Sequence, residues 1–342
     1  MMRILIVTNS VSGGGAEKTM NIVANQLYKQ GFDISIIAIN KSLFSLSEIK
    51  CPLIEINRTW NGGILDTIRS WFKFKSVVKK LKPSLLILNC DLPEFFGSIL
   101  FHKAKIICVE HSQYPWRTKP LLGKFVRSIL RIKKVTWVSV SKHLSIWPKN
   151  LQPNMVIFNP ISKVKPNLVA SSNSIKRLVF IGRLSWEKNP QRIIQIAKVV
   201  DLPVLLIGDG ALKDEVSKLA SESEVKNKMV GFKEKPWDLI ESGDLLIVPS
   251  RYEGDGLVVV EALQRNIPLL ISDIPEFQRF DLPKRNYANK DADYSNLIFK
   301  NKLDISKFNV SSSKVKRVLV ERDIETVFSK WSSLIHDVLF KN

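Results

Sequence analysis

Two carboxylates, Glu253 and Glu261, stand out in this chain because a glycine-bearing turn separates them. An apolar run over 244–250 precedes the turn and predicts a buried strand, and the run 257–263 predicts a helix that the turn opens. The free backbone N–H groups and the positive dipole end of a helix N-terminus suit a phosphate group. Carboxylates on both sides can accept hydrogen bonds from sugar hydroxyls, so the pattern suits a nucleotide sugar. The alternative is a capping glutamate beside an unrelated surface glutamate.

Two cations, Arg183 and Lys188, lie in the stretch GRLSWEKN at 182–189, between a predicted strand and a predicted helix. Cations beside a helix start can clamp a diphosphate and stabilise the charge that develops on it as it leaves. The alternative is a solvated pair with no ligand. We favour the diphosphate role because both cations lie in the same half of the chain as Glu253 and Glu261.

The stretch SGGGAEKT at 12–19 follows the first predicted strand and opens the first predicted helix. It does not match a P-loop, because Glu17 stands where the second glycine is needed. It does not match a dinucleotide fingerprint either, because its third glycine is missing and the strand 33–39 ends without an acidic residue for a ribose. A flexible turn remains, in which Gly14 and Gly15 let the backbone approach a ligand. A tight turn without a ligand is the alternative.

His111 ends the predicted strand 105–110, a position that a parallel sheet places at its ligand-binding edge. We therefore expect His111 to be functional, although a lone histidine is usually structural. Neighbours on a strand face opposite sides, so we do not expect Glu110 to orient it. The GDG turn at 208–210 also follows a predicted strand, and Gly208 could contact a base or a ribose.

The charge of the chain is unevenly distributed. Residues 1–160 carry 23 Lys and Arg against 8 Asp and Glu, and residues 161–342 carry 29 against 24. The net charges, +15 and +5, add to the +20 of the whole chain. A field concentrated in one half implies an anionic partner for that half.

Two basic stretches, 69–82 and 117–134, hold most of this charge and contain no acidic residue. Apolar and aromatic residues alternate with the basic ones, as expected of a helix that lies on an anionic bilayer. A solvated basic face on a core helix is the alternative. Nucleic acid is a third possible partner, which we do not favour because no recognisable nucleic-acid-binding motif accompanies the charge.

Other features exclude several classes of protein. No apolar stretch reaches the 18 or so residues of a transmembrane helix, and the N-terminus predicts a strand rather than a signal peptide. The three cysteines have no paired spacing, which is typical of reduced thiols in a cytoplasmic protein. The four histidines lack the spacing of metal ligands, so we expect no metal.

Strands and helices alternate along two halves, which predicts an α/β fold with two parallel sheets covered on both faces. In the first half we predict strands at 3–8, 33–39, 53–56, 84–89, 105–110, 135–140 and 154–158, and helices at 16–30, 64–82, 92–104, 119–131 and near 141–149. In the second half we predict strands at 177–182, 203–207, 228–231, 244–249 and 267–271, and helices at 188–200, 211–222, 236–242, 257–263 and 318–340. The polar stretch 280–316 gives no clear pattern.

These elements predict two Rossmann-like domains, 1–158 and 176–321. The Pro-, Ser- and Asn-rich segment 159–175 is the predicted linker, with a hinge at Asn159-Pro160. Two doubly wound domains place a ligand in the cleft at the carboxyl ends of their strands.

Taken in order, the motifs resemble the retaining glycosyltransferases of family 4, which have the GT-B fold of two doubly wound parallel-sheet domains facing a cleft. The region from Glu253 to Glu261 is the most specific part of the resemblance, which covers most of the chain and indicates an enzyme of bacterial surface-polysaccharide or lipopolysaccharide synthesis. Its parts are SGGGAEK, the end of the His111 strand, VSVSKHL (138–144), VIFNPI (156–161), GRLSWEKN, LLIGDGAL (205–212), VGF (230–232) and YEGDGLVVVEAL (252–263).

The resemblance implies that the second domain holds the donor and the first domain the acceptor. It implies that a C-terminal helix, about 322–342, packs back on the first domain. The catalytic residues would be His111, Arg183, Lys188 and Glu253. Glu253 would hold the donor sugar and Glu261 the ribose. The full predicted donor site is Gly14, Gly15, Gly182, Arg183, Lys188, Gly208, Glu253, Gly256, Leu257, Val258 and Glu261.

Asp255 departs from the family pattern, which has an aromatic or apolar residue between the two glycines of the turn. A carboxylate beside a diphosphate is unfavourable unless it points away. This residue therefore raises a question about donor preference.

We expect transfer of a hexose or an N-acetylhexosamine from a nucleotide sugar, a UDP sugar in the first place, with retained anomeric configuration. The expected acceptor is a lipid-linked sugar, a lipopolysaccharide or a polysaccharide, and the expected location is the inner face of the cytoplasmic membrane, as a peripheral protein. No cofactor and no nucleic acid partner are expected. The alternatives are a GT-B epimerase of sugar nucleotides and a catalytically inactive basic protein that binds membranes or nucleic acid.

Overall fold

The computed structural model describes residues 2–12, 14–42, 49–60, 62–142, 144, 153–162, 164, 173–289, 291–310 and 313–340. The chain forms two compact units. The first comprises Met1–Pro160 and Arg322–Asn342, and the second comprises Ile161–Glu321. The short helix predicted near 141–149, and most of the linker predicted over 159–175, lie outside the described residues.

The strands form one parallel sheet in each unit. The described strands of the first unit are β1 (Arg3–Thr8), β2 (Asp33–Asn40), β3 (Leu53–Arg58), β4 (Leu85–Asn89), β5 (Lys105–Glu110), β6 (Thr136–Ser139) and β7 (Met155–Val156). Those of the second unit are β8 (Arg177–Ile181), β9 (Val204–Ile207), β10 (Asn227–Met229), β11 (Asp244–Val248), β12 (Leu269–Ser272) and β13 (Tyr287–Ala288).

Both sheets have the strand order of a doubly wound fold. In the described part of the first unit the order is β3-β2-β1-β4-β5-β6-β7, and in that of the second unit it is β10-β9-β8-β11-β12-β13. Neighbouring strands pair in parallel in both sheets. The order reverses on either side of β1 and of β8, so each sheet has a topological switch point there. The predicted fold class is confirmed.

The helices cover both faces of each sheet. They are α1 (Gly15–Lys29), α2 (Ile64–Leu81), α3 (Asp91–Ser98), α4 (Pro120–Ile132), α5 (Gln191–Val200), α6 (Lys213–Glu222), α7 (Leu257–Gln264), α8 (Pro275–Gln278), α9 (Asp291–Lys300), α10 (Ser313–Val320) and α11 (Ile324–Phe340). Shorter 3-10 helices lie at Trp186–Lys188, Pro236–Leu239, Lys284–Asn286 and Ile305–Phe308.

Successive side chains of each strand enter opposite cores, as strand geometry requires. In the first unit, Ile4 and Ile6 of β1 join a core with α1 and α11, and Trp331 of α11 is buried in it. Leu5 and Val7 join a second core with α2, α3 and α4. The second unit repeats the pattern, with α5, α6 and α9 on one face and α7, α8 and α10 on the other.

The predicted last helix, 318–340, is two helices. The side chain of Asp323 accepts a hydrogen bond of 3.1 Å from the N–H of Glu325, and the carbonyl oxygen of Asp323 accepts one of 2.9 Å from Val327. Asp323 therefore begins α11 as a separate helix. The guanidinium of Arg322 is buried and lies 4.4 Å from the centroid of the Phe158 ring, so the chain turns between α10 and α11. The turn falls where the second unit ends and the first resumes.

Two further helices are shorter than predicted. The helix expected over 92–104 ends at Ser98, and His102 Nδ1 accepts a hydrogen bond of 2.9 Å from the N–H of Ala104 as the chain turns into β5. The helix expected over 236–242 is a 3-10 helix that ends at Leu239. Just after this 3-10 helix, the carboxylate of Asp244 accepts a hydrogen bond of 2.8 Å from the N–H of Glu241. In both cases a side chain in the segment after the helix accepts a backbone N–H, which favours a turn over further helix.

Within the described part of the chain, no helix combines the length and the apolar composition that crossing a membrane requires.

Candidate active site

Two loops of the second unit lie side by side at the switch point of its sheet, where β8 is flanked by β9 and β11. The loop after β8 carries the stretch 182–189, and the loop after β11 carries 249–256. The N–H of Arg251 donates a hydrogen bond of 2.8 Å to the carbonyl oxygen of Glu187, which ties one loop to the other. Ligands of open parallel sheets bind outside the strand carboxyl ends at such a point. Both charged motifs therefore lie where this fold binds ligands.

Lys188 and Glu253 form an ion pair between these loops. Nζ of Lys188 lies 2.6 Å from each carboxylate oxygen of Glu253. The hydroxyl of Ser250 donates a hydrogen bond of 2.8 Å to Oε1 of Glu253. Glu253 is buried, and a buried carboxylate needs such partners. An ammonium group has three donors, so Lys188 can direct its third donor at another acceptor.

Arg183 is exposed on the same loop. Burial works to raise the pKa of Glu187, but a hydrogen bond from Ser185 and the charges of Arg183 and Lys188 outweigh it and lower that pKa. Glu187 therefore stays ionised beside the two cations. The loop offers two positive charges, of which the one on Lys188 is already engaged with Glu253.

An aromatic and cationic group, which the sequence analysis did not single out, borders the Lys188–Glu253 pair. The ring of Trp186 lies 6.0 Å from that of Tyr252 between centroids, and the guanidinium of Arg251 lies 4.9 Å from the Trp186 centroid. Arg251 also donates a hydrogen bond of 2.8 Å to the side chain of Asn189. Trp186 and Tyr252 are near neighbours of Lys188 and Glu253 in sequence. The contact between the two rings therefore helps to hold together the two loops that carry the ion pair.

Gly182 and Gly208 allow a close approach of two backbones. A Cβ atom on Gly208 would lie 1.8 Å from the carbonyl oxygen of Gly182. A hydrogen bond of 2.9 Å from the N–H of Leu184 to the carbonyl oxygen of Asp209 joins the same two loops. The structure thus brings together two of the predicted donor-site glycines, and no other residue fits at Gly208.

Gly256 forms the N-cap of α7 with a φ of +57°. A Cβ atom there would lie 2.6 Å from Cε1 of the fully buried Phe277. Glycine is therefore required both for the left-handed backbone and for the space. Leu257 and Val258 begin α7, where the first N–H groups of a helix lack acceptors within the helix.

Asp255 does not project from the turn as a lone charge. Its carboxylate is buried, and Nη2 of Arg279 lies 2.6 Å from Oδ1. The same nitrogen also donates a hydrogen bond to the main-chain oxygen of Asp255. The departure from the family pattern is therefore accompanied by a cation from the segment after α8.

Glu261 and Glu253 have different hydrogen-bonding partners. It lies on α7, and its Oε2 accepts a hydrogen bond of 2.9 Å from Nε1 of Trp237. The guanidinium of Arg265 lies 4.9 Å from the centroid of the Trp237 ring. The two predicted carboxylates thus have separate environments, Glu253 in the loop before α7 and Glu261 within α7.

The remaining predicted site residues, His111, Gly14 and Gly15, belong to the first unit. His111 follows β5 and is half-buried. Gly14 is the N-cap of α1, and its N–H donates a hydrogen bond of 3.0 Å to the carboxylate of Glu17. Glu17, which is incompatible with a P-loop, is thus the residue that caps this helix. Gly13 lies outside the described residues.

A buried ionic cluster lies beneath the loop that follows His111. Arg127 was expected on the basic surface of 117–134, and this expectation is wrong, because its side chain is 1% exposed. It donates hydrogen bonds to Glu94 at 2.9 and 3.0 Å and to Glu110 at 2.6 Å. Glu94 also accepts a hydrogen bond of 2.8 Å from Nε1 of Trp116, and Glu110 accepts one of 2.9 Å from the N–H of Ser112. Nothing local marks Arg127 as different from the other basic residues of its helix.

Two carboxylates thus share one guanidinium. Burial raises the pKa of Glu94 to about 7 against the lowering effect of Arg127, and the charge of Glu110 adds to the rise. Burial also raises the pKa of Glu110. The cluster fixes the loop between β5 and α4 through Ser112 and Trp116.

Comparisons with known proteins agree with this arrangement. Residues 168–280 match the family described as Glycosyl transferases group 1, and this stretch contains Arg183, Lys188, Glu253 and Glu261. An uncharacterized glycosyltransferase of Haemophilus influenzae is 26% identical over 284 residues, which cover 77% of this chain and 78% of the relative.

A second relative, from Campylobacter jejuni, is 25% identical over 278 residues, which cover 77% of each chain. It is an α-1,4-N-acetyl-D-galactosaminyltransferase that acts on a GalNAc-GalNAc-diNAcBac-PP-undecaprenol acceptor. Among solved structures, Anabaena HepE in complex with UDP and glucose superposes with a TM-score of 0.80 and 16% identity, over 98% of this chain and 99% of that chain.

The two parallel-sheet units have the GT-B fold, and the chain is similar to glycosyltransferases. The prediction of a GT-B glycosyltransferase of bacterial polysaccharide synthesis, made from the motifs, is confirmed.

Proposed function

We propose that the protein is a retaining, metal-independent glycosyltransferase of family 4 that moves a hexose or an N-acetylhexosamine from a UDP sugar. The proposed acceptor is a lipid-linked sugar, a lipopolysaccharide or a polysaccharide at the inner face of the cytoplasmic membrane. The observation that carries the proposal is the Lys188–Glu253 ion pair between the loops after β8 and β11.

The donor diphosphate lies between Arg183, Lys188 and the N–H groups at the start of α7 in this proposal. Arg183 is exposed, and Lys188 has a donor beyond the two that Glu253 accepts, so both can bind phosphate oxygens. These cations supply the positive charge that a metal would otherwise supply. Glu253 accepts hydrogen bonds from hydroxyls of the donor sugar, and Glu261 accepts hydrogen bonds from hydroxyls of the ribose. Gly182, Gly208 and Val258 complete the donor site.

Retention follows if the acceptor attacks from the face that the diphosphate leaves. The bond from the anomeric carbon to the diphosphate oxygen breaks, and the bond from the acceptor oxygen to that carbon forms on the same face. The acceptor proton passes to the departing diphosphate oxygen, so no protein base is required. Catalysis then consists of positioning and of stabilising the leaving group. His111 is proposed as a further catalytic residue, and Gly14 and Gly15 are proposed as further donor-binding residues.

The nature of the acceptor is proposed from the first unit and from the Campylobacter relative, whose acceptor is linked to undecaprenol diphosphate. The helices α2 and α4 carry eight Lys and Arg against one Asp, which is +7 of the net +15 of residues 1–160. They also expose large apolar side chains, although a folded protein usually buries these: Ile64, Leu65, Ile68 and Phe72 on α2, and Leu121, Phe125 and Ile132 on α4. A basic surface with apolar side chains suits an anionic membrane.

The donor class is tested by thermal unfolding with UDP, GDP, ADP and TDP. Stabilisation depends on the ratio of ligand concentration to Kd, so about 2.7 kcal/mol is expected at 100 times Kd. The proposal predicts a shift with UDP that exceeds the shifts with the other three. A shift confined to another nucleotide would indicate a donor sugar linked to that nucleotide and not to UDP. The absence of any shift would favour the alternative of an inactive basic binding protein.

The role of Arg183 is tested by Arg183→Ala in a transfer assay with the donor that stabilises the protein. We expect kcat to fall by about 100-fold or more, with a smaller change in donor affinity, because the cation acts on charge that develops during departure. Arg317→Ala is the matched control, since Arg317 is 79% exposed and forms an ion pair with its neighbour Glu321 at 3.4 Å. A loss confined to donor affinity would contradict the proposed role.

Membrane binding is tested with vesicles of anionic and of neutral lipids. Binding should require the anionic lipid and weaken as salt rises, because salt screens exposed charges. Lys124→Glu on α4 should weaken binding, whereas Lys198→Glu on α5 of the second unit should not. Binding that persists unchanged in high salt would refute the electrostatic part of the proposal.

A further inference from the structure

Asp255 places a carboxylate in the turn that the proposed function assigns to the donor diphosphate. A negative charge there would repel the ligand. The side chain is 3% exposed, so it does not face the solvent at the site. A charge that is so buried must be paired within the protein.

Arg279 pairs with Asp255 in two ways. Its Nη2 lies 2.6 Å from Oδ1 of the carboxylate, and it also donates to the main-chain oxygen of the same residue. The guanidinium lies 4.8 Å from the centroid of the Phe280 ring, which holds it from another side. One cation thus fixes both the side chain and the backbone of Asp255.

The neighbouring residue of the turn is held by the same segment. Phe277, at the end of α8, is fully buried and fills the space where Gly256 would carry a Cβ atom. Phe277 and Arg279 are two positions apart and contact adjacent residues of the turn. The conformation of the turn, and with it the direction of the first N–H groups of α7, therefore depends on the segment 277–280.

We propose that Asp255 and Arg279 are positioning residues, whose ion pair fixes the turn so that the N–H groups of Leu257 and Val258 point at the donor diphosphate. The inference rests on the proposed donor role of this turn. The pair balances the charge that Asp255 introduces where the family pattern has an aromatic or apolar residue. A turn that is already fixed loses less conformational freedom when the ligand binds.

The test measures UDP affinity by calorimetry, and unfolding by heat, in Asp255→Asn, Arg279→Gln and the double variant. Each single variant should bind UDP about tenfold more weakly, equivalent to about 1.4 kcal/mol. The double variant should bind no more weakly than the worse single variant, because both changes remove the same ion pair. Should Arg279→Gln fail to fold, Arg279→Lys keeps the charge but loses the planar fork, and the same loss is expected.

A matched control exists in the same sheet. Arg177 opens β8 and Asp244 opens β11, at the strand ends opposite the site, and they form a comparable pair with contacts of 2.8 and 2.6 Å. Arg177→Gln should lower the unfolding temperature without changing UDP affinity. A purely structural role of Asp255 would give the same pattern as this control.

Three results would overturn the inference: wild-type UDP affinity in both single variants, additive losses in the double variant, or an equal loss of affinity in Arg177→Gln. Failure of the proposed function gives a different result. In that case the wild-type protein itself does not bind UDP, and Lys188→Ala changes nothing.

Discussion

Glu94→Gln should flatten the dependence of stability on pH. In the folded protein Glu94 and Glu110 share the charge of Arg127 in a buried cluster. Burial and the charge of Glu110 together raise the pKa of Glu94 from its ordinary value of 4.5 to about 7, although Arg127 opposes the rise. Glutamine cannot titrate, so the variant loses this contribution.

The sign follows from proton linkage. Between pH 4.5 and about 7 the folded state keeps a proton on Glu94 that the unfolded state has released. The unfolded state then binds fewer protons, so the free energy of unfolding falls as pH rises through this window. At about 1.4 kcal/mol per pH unit, the loss is on the order of 3 kcal/mol when the window has been crossed. Below the window both states hold the proton, and above it neither does.

The assay is urea unfolding of wild type and Glu94→Gln at intervals from pH 5 to pH 8. The difference between the two free energies should change by up to about 3 kcal/mol across this range, with wild type losing stability relative to the variant as pH rises. The slope is the readout, because the absolute stability of the variant also depends on how the amide contacts Arg127. Glu222→Gln is the control, since Glu222 is 61% exposed and should leave the slope unchanged. A difference that stays constant from pH 5 to pH 8 would refute the reasoning.

Two further predictions concern packing. Gly208→Ala should destabilise the second unit by more than about 1 kcal/mol, because the new Cβ would lie 1.8 Å from the carbonyl oxygen of Gly182, whereas Gly63→Ala, with nothing within 4 Å, should change stability by less than about 0.5 kcal/mol in thermal unfolding. Trp331→Ala should cost about 3–5 kcal/mol in urea unfolding, since Trp331 is 3% exposed in the core that joins α11 to α1. Phe340→Ala at the exposed end of α11 is its control, and equal losses in the two variants would contradict this account.

The strands could be predicted because each signal is local and strong. The strand expected at 3–8 is β1 and the strand expected at 105–110 is β5, with the predicted bounds. A strand buried on both faces is a near-continuous apolar run, so the run itself marks the element. The alternation of strands with helices then predicts parallel pairing, since parallel strands need a crossover.

Helix ends were less predictable because they depend on contacts between distant residues. The apolar spacing from Val318 to Val338 continues through the break at 321–323, so periodicity alone predicts one helix. The break comes from Asp323, which caps α11, and from the burial of Arg322 against Phe158. Phe158 is far from Arg322 in sequence, and no pattern around Arg322 points to it.

The difference between local signals and contacts of distant residues also explains which residues of the candidate site could be predicted. Lys188 and Glu253 were recognisable because each follows a strand that is predictable, and neighbouring parallel strands bring their following loops to one edge. Arg279 was not recognisable, because it lies outside the motif and its role depends on Asp255, to which only the folded structure connects it.

Arg127 shows the limit of composition as a guide to function. Seven basic residues in 117–134 were assigned to one surface, yet the charge of Arg127 is taken up inside the protein by Glu94 and Glu110. The three groups together carry more negative than positive charge when both carboxylates are ionised. Because Glu94 and Glu110 neutralise it inside the protein, the charge of Arg127 adds nothing to the attraction of an anionic membrane. The proposed attraction to an anionic membrane therefore rests on exposed basic residues such as Lys124, and the vesicle test substitutes Lys124 and leaves Arg127 in place.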